Sequence, residues 1–146
     1  MLQDSATIET KYRLFIERTA AFKLVWGLQD KGGWANSNAN DDEETDLIPF
    51  WSDRAYAKAC ARDEWAHYSP VSIPLAEFLE NWCVGMADDK ILAGINWDAN
   101  MFGKESAALS VALDILNQLN SIGSTIKFTK YKSIDEFVNS IKSSDL

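Results

Sequence analysis

Residues 91–97 are apolar at every position but Asn96. A run this short and this continuous is the pattern of a strand covered on both faces, since a strand with one wet face would alternate. Two covered faces require helices beside the sheet, and the preceding sequence supplies them. Residues 47–51 and 68–73 read as two further short strands. Between them Ser52 offers an N-cap, and Asp53 suits the positive end of a helix dipole. Ala55, Tyr56, Ala59, Cys60 and Asp63 then share one helical face up to Trp65. After the second strand, Pro74 fits the first turn of a helix with an apolar stripe of Leu75, Phe78, Leu79, Trp82 and Met86. The β-α-β-α-β run over 47–97 predicts parallel neighbours joined by right-handed crossovers. Pro49 lacks a donor and predicts an edge or a strand end.

On the N-terminal side, Ile8, Tyr12, Phe15, Ile16, Thr19 and Phe22 fall on one face of an amphipathic helix over 7–22. Residues 23–28 read as a strand, 29–33 as a turn with Gly32-Gly33, and 34–37 as its antiparallel partner. The polar, acidic stretch 36–46 reads as a surface loop. Downstream, Gly103 precedes a long helical pattern with a stripe of Leu109, Ala112, Leu113, Leu116 and Leu119, broadened by Val111 and Ile115 and stopped at Gly123. Residues 125–128 read as a last strand. Ser133 and Glu136 form a capping box for a final helix carrying Ile134, Phe137, Val138 and Ile141. The expected fold is a single α+β or α/β domain. It has a mixed sheet, an N-terminal helix, a hairpin, the central β-α-β-α-β run and C-terminal helices.

At 146 residues and 47% hydrophobic content the chain suits one domain with its own core. Two Cys without a CxxC pair argue against a disulfide scaffold and against a four-thiolate zinc site, so no metal or cofactor is expected. No apolar run approaches the ~20 residues of a membrane helix, and residues 1–5 show no basic stretch leading into an apolar one. A cytoplasmic location away from membranes is expected. The net charge is −8, and residues 30–98 carry 5 basic against 14 acidic groups, net −9. Asp41, Asp42, Glu43, Glu44 and Asp46 supply five of those negatives within six positions. Such a surface repels phosphate, which excludes nucleic acid as the expected partner, and it can steer a basic protein partner or be a solvated loop.

Candidate chemistry is sparse. The 38–49 stretch alternates oxygen ligands but has Glu43 where a calcium loop needs Gly and Pro49 where it needs Glu. His67 has no Cys at zinc-motif spacing, and Cys60 falls on a core-facing stripe, which favours an inert thiol over a Cys–His pair. No catalytic residue is assigned. Asn96 and Asp98 close the most apolar strand and would project to one side at its carboxyl end, where ligands gather in open α/β sheets. There they either hold a polar ligand or a partner's cation, or satisfy the backbone of the following turn. Trp51 and Ser52 would share that rim. Of the six Trp, Trp34 is the candidate for a partly exposed partner anchor, next to the acidic stretch.

The sequence resembles the bacterial domain-of-unknown-function family 2750. The residues that carry the resemblance are Val25-Trp26-Gly27-Leu28, Gly33-Trp34-Ala35, Pro49-Phe50-Trp51-Ser52, Trp65, Tyr68, Pro70, Ile73-Pro74-Leu75, Phe78-Leu79, Trp82, Gly85-Met86 and Gly94-Ile95-Asn96-Trp97-Asp98. It covers about 10–105, leaving 104–146 as a C-terminal helical extension, and it implies no activity and no catalytic residue. A looser similarity to SseB-like domains, through a Pro-Phe-Ser-like start, a Tyr-x-Pro strand and a Gly-x-Asn end, implies a binding module rather than an enzyme. The expected function is therefore non-enzymatic protein binding of an immunity or regulatory type through an acidic face. The alternatives are a small-ligand binder or enzyme at Asn96/Asp98, and an oligomeric subunit assembled through the C-terminal helices.

Overall fold

The computed structural model describes residues 5–39 and 42–145. Helix α1 (Ser5–Phe22) leads into β1 (Leu24–Asp30), which turns back on the short β2 (Gly33–Trp34). Strands β3 (Ser37–Ala39) and β4 (Asp42–Phe50) form a second hairpin. Helix α2 (Arg54–Ala59) and a 3-10 turn (Asp63–Trp65) precede β5 (Ser69–Pro74). Helix α3 covers 75–88, with α-helical Leu75–Glu77 and Val84–Asp88 flanking a π-helical Phe78–Cys83. Strands β6 (Leu92–Ile95) and β7 (Lys104–Ala107), then helices α4 (Ala108–Ser121) and α5 (Ile134–Asp145), complete the chain.

The strands form two sheets, ordered β2-β1-β5 and β3-β4-β6-β7. They are stitched together by Trp26 and Trp51, whose backbone groups exchange two 2.8 Å hydrogen bonds. The expected parallel pair is present between β4 and β6, from Leu47↔Leu92 to Phe50↔Ile95. The middle strand of the run is not part of it: β5 pairs antiparallel with β1. Prolines explain the choice. Trp26 turns its N–H and C=O toward β4, so Val25 and Gly27 face β5 and engage Ile73 and Val71. Pro70, Ser72 and Pro74 then point outward on an edge where two of three positions have no donor, which blunts pairing with other chains. Pro49 follows the same logic inside β4. It lies between Leu47, paired to β3, and Trp51, paired to β1, where the strand changes neighbours and a donor on that side would have no ladder.

Strand alternation sorts the interior into two cores. Val25, Phe50, Ala93 and Ile95 face the larger one, under α1, α3, α4 and α5. Leu28, Leu47, Trp51 and Trp97 face the smaller one, closed by Ala57, Cys60 and Trp65. Trp97 folds back over two glycines. A Cβ on Gly94 would come within 2.7 Å of its ring and one on Gly103 within 2.4 Å, so neither position has room for a side chain.

Several local expectations are corrected. The 36–46 loop is mostly strand, because polar residues on a hydrated hairpin still satisfy a backbone ladder. Residues 104–107 are the strand β7 rather than the start of a helix, which begins at Ala108. Residues 125–128 are not a strand. Ser52 is not the cap of α2; Asp53 is, and its side chain makes no capping bond because it is engaged elsewhere. Phe22 is 60% exposed rather than on the buried face of α1, since the helix ends there and Lys23 turns left-handed at φ 59°. In α3 the expected stripe packs on the large core, with Trp82 half-buried and edge-on to Phe50 at 5.6 Å between ring centres, and the wide π turn adds Cys83 and Glu80 to the buried side. The capping box is present in modified form. Ser133 Oγ accepts the Glu136 N–H at 3.1 Å, while the Glu136 carboxylate accepts from the Lys132 N–H at 2.9 Å. The apolar stripe of α5 is buried in the molecule's own core.

Candidate functional site

The rim at the carboxyl ends of β4 and β6 is built from the chain segments that leave the parallel pair. Strand β6 ends at Ile95 and Asn96 turns left-handed at φ 49°. Asn tolerates that conformation because its short amide can bond nearby backbone. The turn separates Asn96 from Asp98, so the two do not share a strand face as the alternation predicts. Asn96 is buried. Its Oδ1 accepts the Ser52 N–H at 2.9 Å, and its Nδ2 donates to Ser52 Oγ at 3.2 Å and to the Lys11 carbonyl at 3.3 Å. Asp98 closes the 98–102 turn: its Oδ1 accepts from the N–H groups of Asn100 at 2.9 Å and Phe102 at 3.2 Å, and its Oδ2 pairs with Lys11 Nζ at 3.1 Å. Both side chains thus bind the protein's own groups, which is the structural alternative of the sequence reading.

Around them runs a polar network that the sequence does not announce. Ser52 Oγ donates to Asp53 Oδ1 at 2.7 Å, and Arg18 grips the same carboxylate with Nε at 2.7 Å and Nη2 at 2.6 Å. Arg18 and Lys11 come from α1, 35 and 87 residues from their partners, and nothing local in the sequence marks them. Burial alone would raise the Asp53 carboxyl, but bonds from Arg18 and Ser52 outweigh it and hold it below the usual carboxylate value. For Asp98, burial is likewise outweighed by the Phe102 N–H, the Lys11 ammonium and the Asn100 N–H. A carboxyl depressed in the native state binds its proton more readily when unfolded. The stability it contributes is therefore present above the unfolded value, near ~4, and lost as pH falls through the native one. Chemical denaturation should show the Asp53→Asn and Asp98→Asn variants less stable than wild type at neutral pH, with the gap narrowing as pH drops below about 4.

Trp51, expected on this rim, is fully buried, and its Nε1 donates to the Trp97 carbonyl at 2.9 Å. It is a core residue because β4 carries it into the smaller core. Cys60 Sγ also bonds the Trp97 and Asp98 carbonyls, each at 3.3 Å. Burial pushes its thiol up to about 11 and raises that of Cys83 further, which suits inert thiols, while His67 is exposed. Trp34 is half-buried, edge-on to Trp82 at 4.8 Å between ring centres. In the acidic hairpin, Glu44 and Asp46 are exposed on β4, which begins with Asp42 and Glu43; Asp41 lies outside the described residues. Among the described residues no three His, Cys, Asp or Glu side chains cluster as a metal site would. No helix among them is long and apolar enough to cross a membrane.

No curated protein and no solved structure matches the chain. The family model described as "Protein of unknown function (DUF2750)" matches residues 12–115. That span takes in the Trp-rich strands, the Asn96 turn, β7 and the first half of α4. On that match, the chain belongs to the DUF2750 family.

Proposed function

We propose that this protein is a cytoplasmic, non-enzymatic protein-binding module of immunity or regulatory type, and that its acidic β3–β4 hairpin meets a basic partner. The carrying observation is the placement of the acidic run. Glu44 and Asp46 stand exposed on β4 of an edge hairpin, in a segment of net charge −9. A concentrated negative patch steers a basic partner and sets its orientation more than it adds affinity. The polar groups at the carboxyl rim, which would carry an enzymatic reading, are engaged in internal hydrogen bonds.

The test compares wild type with a variant carrying Asp41→Asn, Asp42→Asn, Glu43→Gln, Glu44→Gln and Asp46→Asn, both immobilised for capture and mass spectrometry. The expected result is a basic protein retained by wild type, reduced at least about tenfold with the variant, and released as salt rises. A specific partner held equally by both proteins, or insensitive to salt, would overturn the acidic-face reading.

A further inference from the structure

The rim at the carboxyl ends of β4 and β6 is also concave. Along β4, the four residues from Asp46 and the six from Glu44 to Phe50 put it about 13–20 Å from the exposed acidic side chains. Here residues of α1, α2 and the 96–99 turn line a cleft of ≈ 300 Å³. That volume falls at the small end of the range for ligand pockets, and the position, outside the carboxyl ends of a parallel pair, is where open sheets bind ligands. Leu14, Ala59, Ala99 and the Tyr56 ring form the walls, with Asn96 below and the Lys11–Asp98 pair at one end.

The charged end restricts the occupant. An ammonium has three donors, and Lys11 directs two, to Asp98 Oδ2 and, at 3.3 Å, to the Phe102 carbonyl. Of the roughly four acceptor sites of a carboxylate, Asp98 fills three, with Asn100, Phe102 and Lys11. Among the described residues, one N–H of Lys11 and one lone pair of Asp98 therefore remain by count, on a pair whose charges cancel. A neutral group that both donates and accepts matches them. A carboxylate would meet Asp98 and an ammonium would meet Lys11, each a like charge. The same α1 face continues beyond the cleft through Arg18 to the exposed Phe22, with the guanidinium 5.1 Å from the ring centre. With Tyr56, 41% exposed, this gives two aromatic side chains of the kind that anchor protein partners.

We propose that the cleft binds an uncharged peptide segment: one apolar side chain of leucine type against Leu14, Ala59 and Ala99, with its adjoining amide bonded to Lys11 and Asp98. This site is independent of the acidic hairpin and stands or falls apart from it.

The experiment is a titration of the full chain, followed by backbone amide NMR at mildly acidic pH, with three probes sharing one side chain. These are N-acetyl-leucine amide, which is neutral, N-acetyl-leucine, an anion, and leucine amide, a cation. The expected result is saturable shifts centred on Ala59 and Ala99, with the neutral probe at least about fivefold tighter than either charged one. Ala59→Trp should fill the cleft and abolish the shifts. Leu14→Ala, a milder change to one wall, should weaken the neutral probe about fivefold while distant resonances stay in place. No saturable shift at Ala59 or Ala99 with any probe up to ~50 mM, or a charged probe binding as tightly as the neutral one, would overturn the proposal.

Discussion

Replacing Asn96 by Ala is expected to lower the free energy of unfolding by about 3 kcal/mol, measured by chemical denaturation. Two losses add. The buried amide disappears, which leaves the Ser52 N–H without its acceptor at 2.9 Å and the Lys11 carbonyl without its donor at 3.3 Å. An orphaned buried donor costs about 1–3 kcal/mol. The second loss is conformational: at φ 49° the backbone is left-handed, which Ala adopts at a cost of roughly 1 kcal/mol and Gly adopts freely. Asn96→Gly should therefore recover about 1 kcal/mol of the deficit but not the rest. Equal losses for Ala and Gly would show that the backbone turn carries no strain. A loss under about 0.5 kcal/mol for both would remove Asn96 from the structural role given to it here. The pair of variants separates the two terms because only the side-chain hydrogen bonds are lost in both.

The same residue shows where the sequence was legible and where it stopped. The apolar run before Asn96 marked β6 and its covered faces, since burial on both sides imposes a local pattern. The helical stripes of α1, α3 and α4 were readable for the same reason, as was the stop at Gly123, which sits left-handed at φ 65°. Partner choice between strands was not readable, because β5 can satisfy its ladder against β1 or β4 and only the outward prolines decide. The acidic hairpin hid its strands because its side chains report solvent rather than backbone pairing. At the rim, Asn96 and Asp98 were found by position, but Lys11, Arg18 and Asp53 were not. Their pairings span 35 to 87 residues and depend on how α1 packs, which no window of the sequence encodes. The π turn in α3 was equally silent. A helical stripe at ordinary spacing finds Trp82, which packs half-buried on the core, but not Glu80 and Cys83, which the widened turn buries.

Glu80→Ala is expected to loosen residues 122–132 at a cost of about 2 kcal/mol while the sheets stay intact. Glu80 is a charged side chain only 3% exposed, and its carboxylate gathers three donors from the segment linking α4 to α5. These are the Thr129 N–H and hydroxyl, both at 3.2 Å, and the Lys130 N–H at 2.6 Å. The clamp holds Phe128 in place beside Tyr131 and Phe137, which stack at 4.0 Å between ring centres and close the large core from the C-terminal side. Glu80→Gln should rescue little. Three converging donors need a group that only accepts, and an amide turns one N–H₂ toward them. Trypsin reads the result directly, because Lys127, Lys130 and Lys132 are the cleavage positions in this segment. A ~2 kcal/mol shift in local opening corresponds to at least about tenfold faster cleavage there in both variants, with little change at Lys58 in α2. Equal acceleration at Lys58 would mean that Glu80 supports the whole fold rather than the segment. Full rescue by Gln would mean that acceptor geometry, not charge and lone-pair count, is what the π turn presents. The clamp also gives the π turn a physical reason. Only the wider turn brings Glu80 to the inner side of α3, where it meets the 129–130 backbone outside the residues that the family model covers.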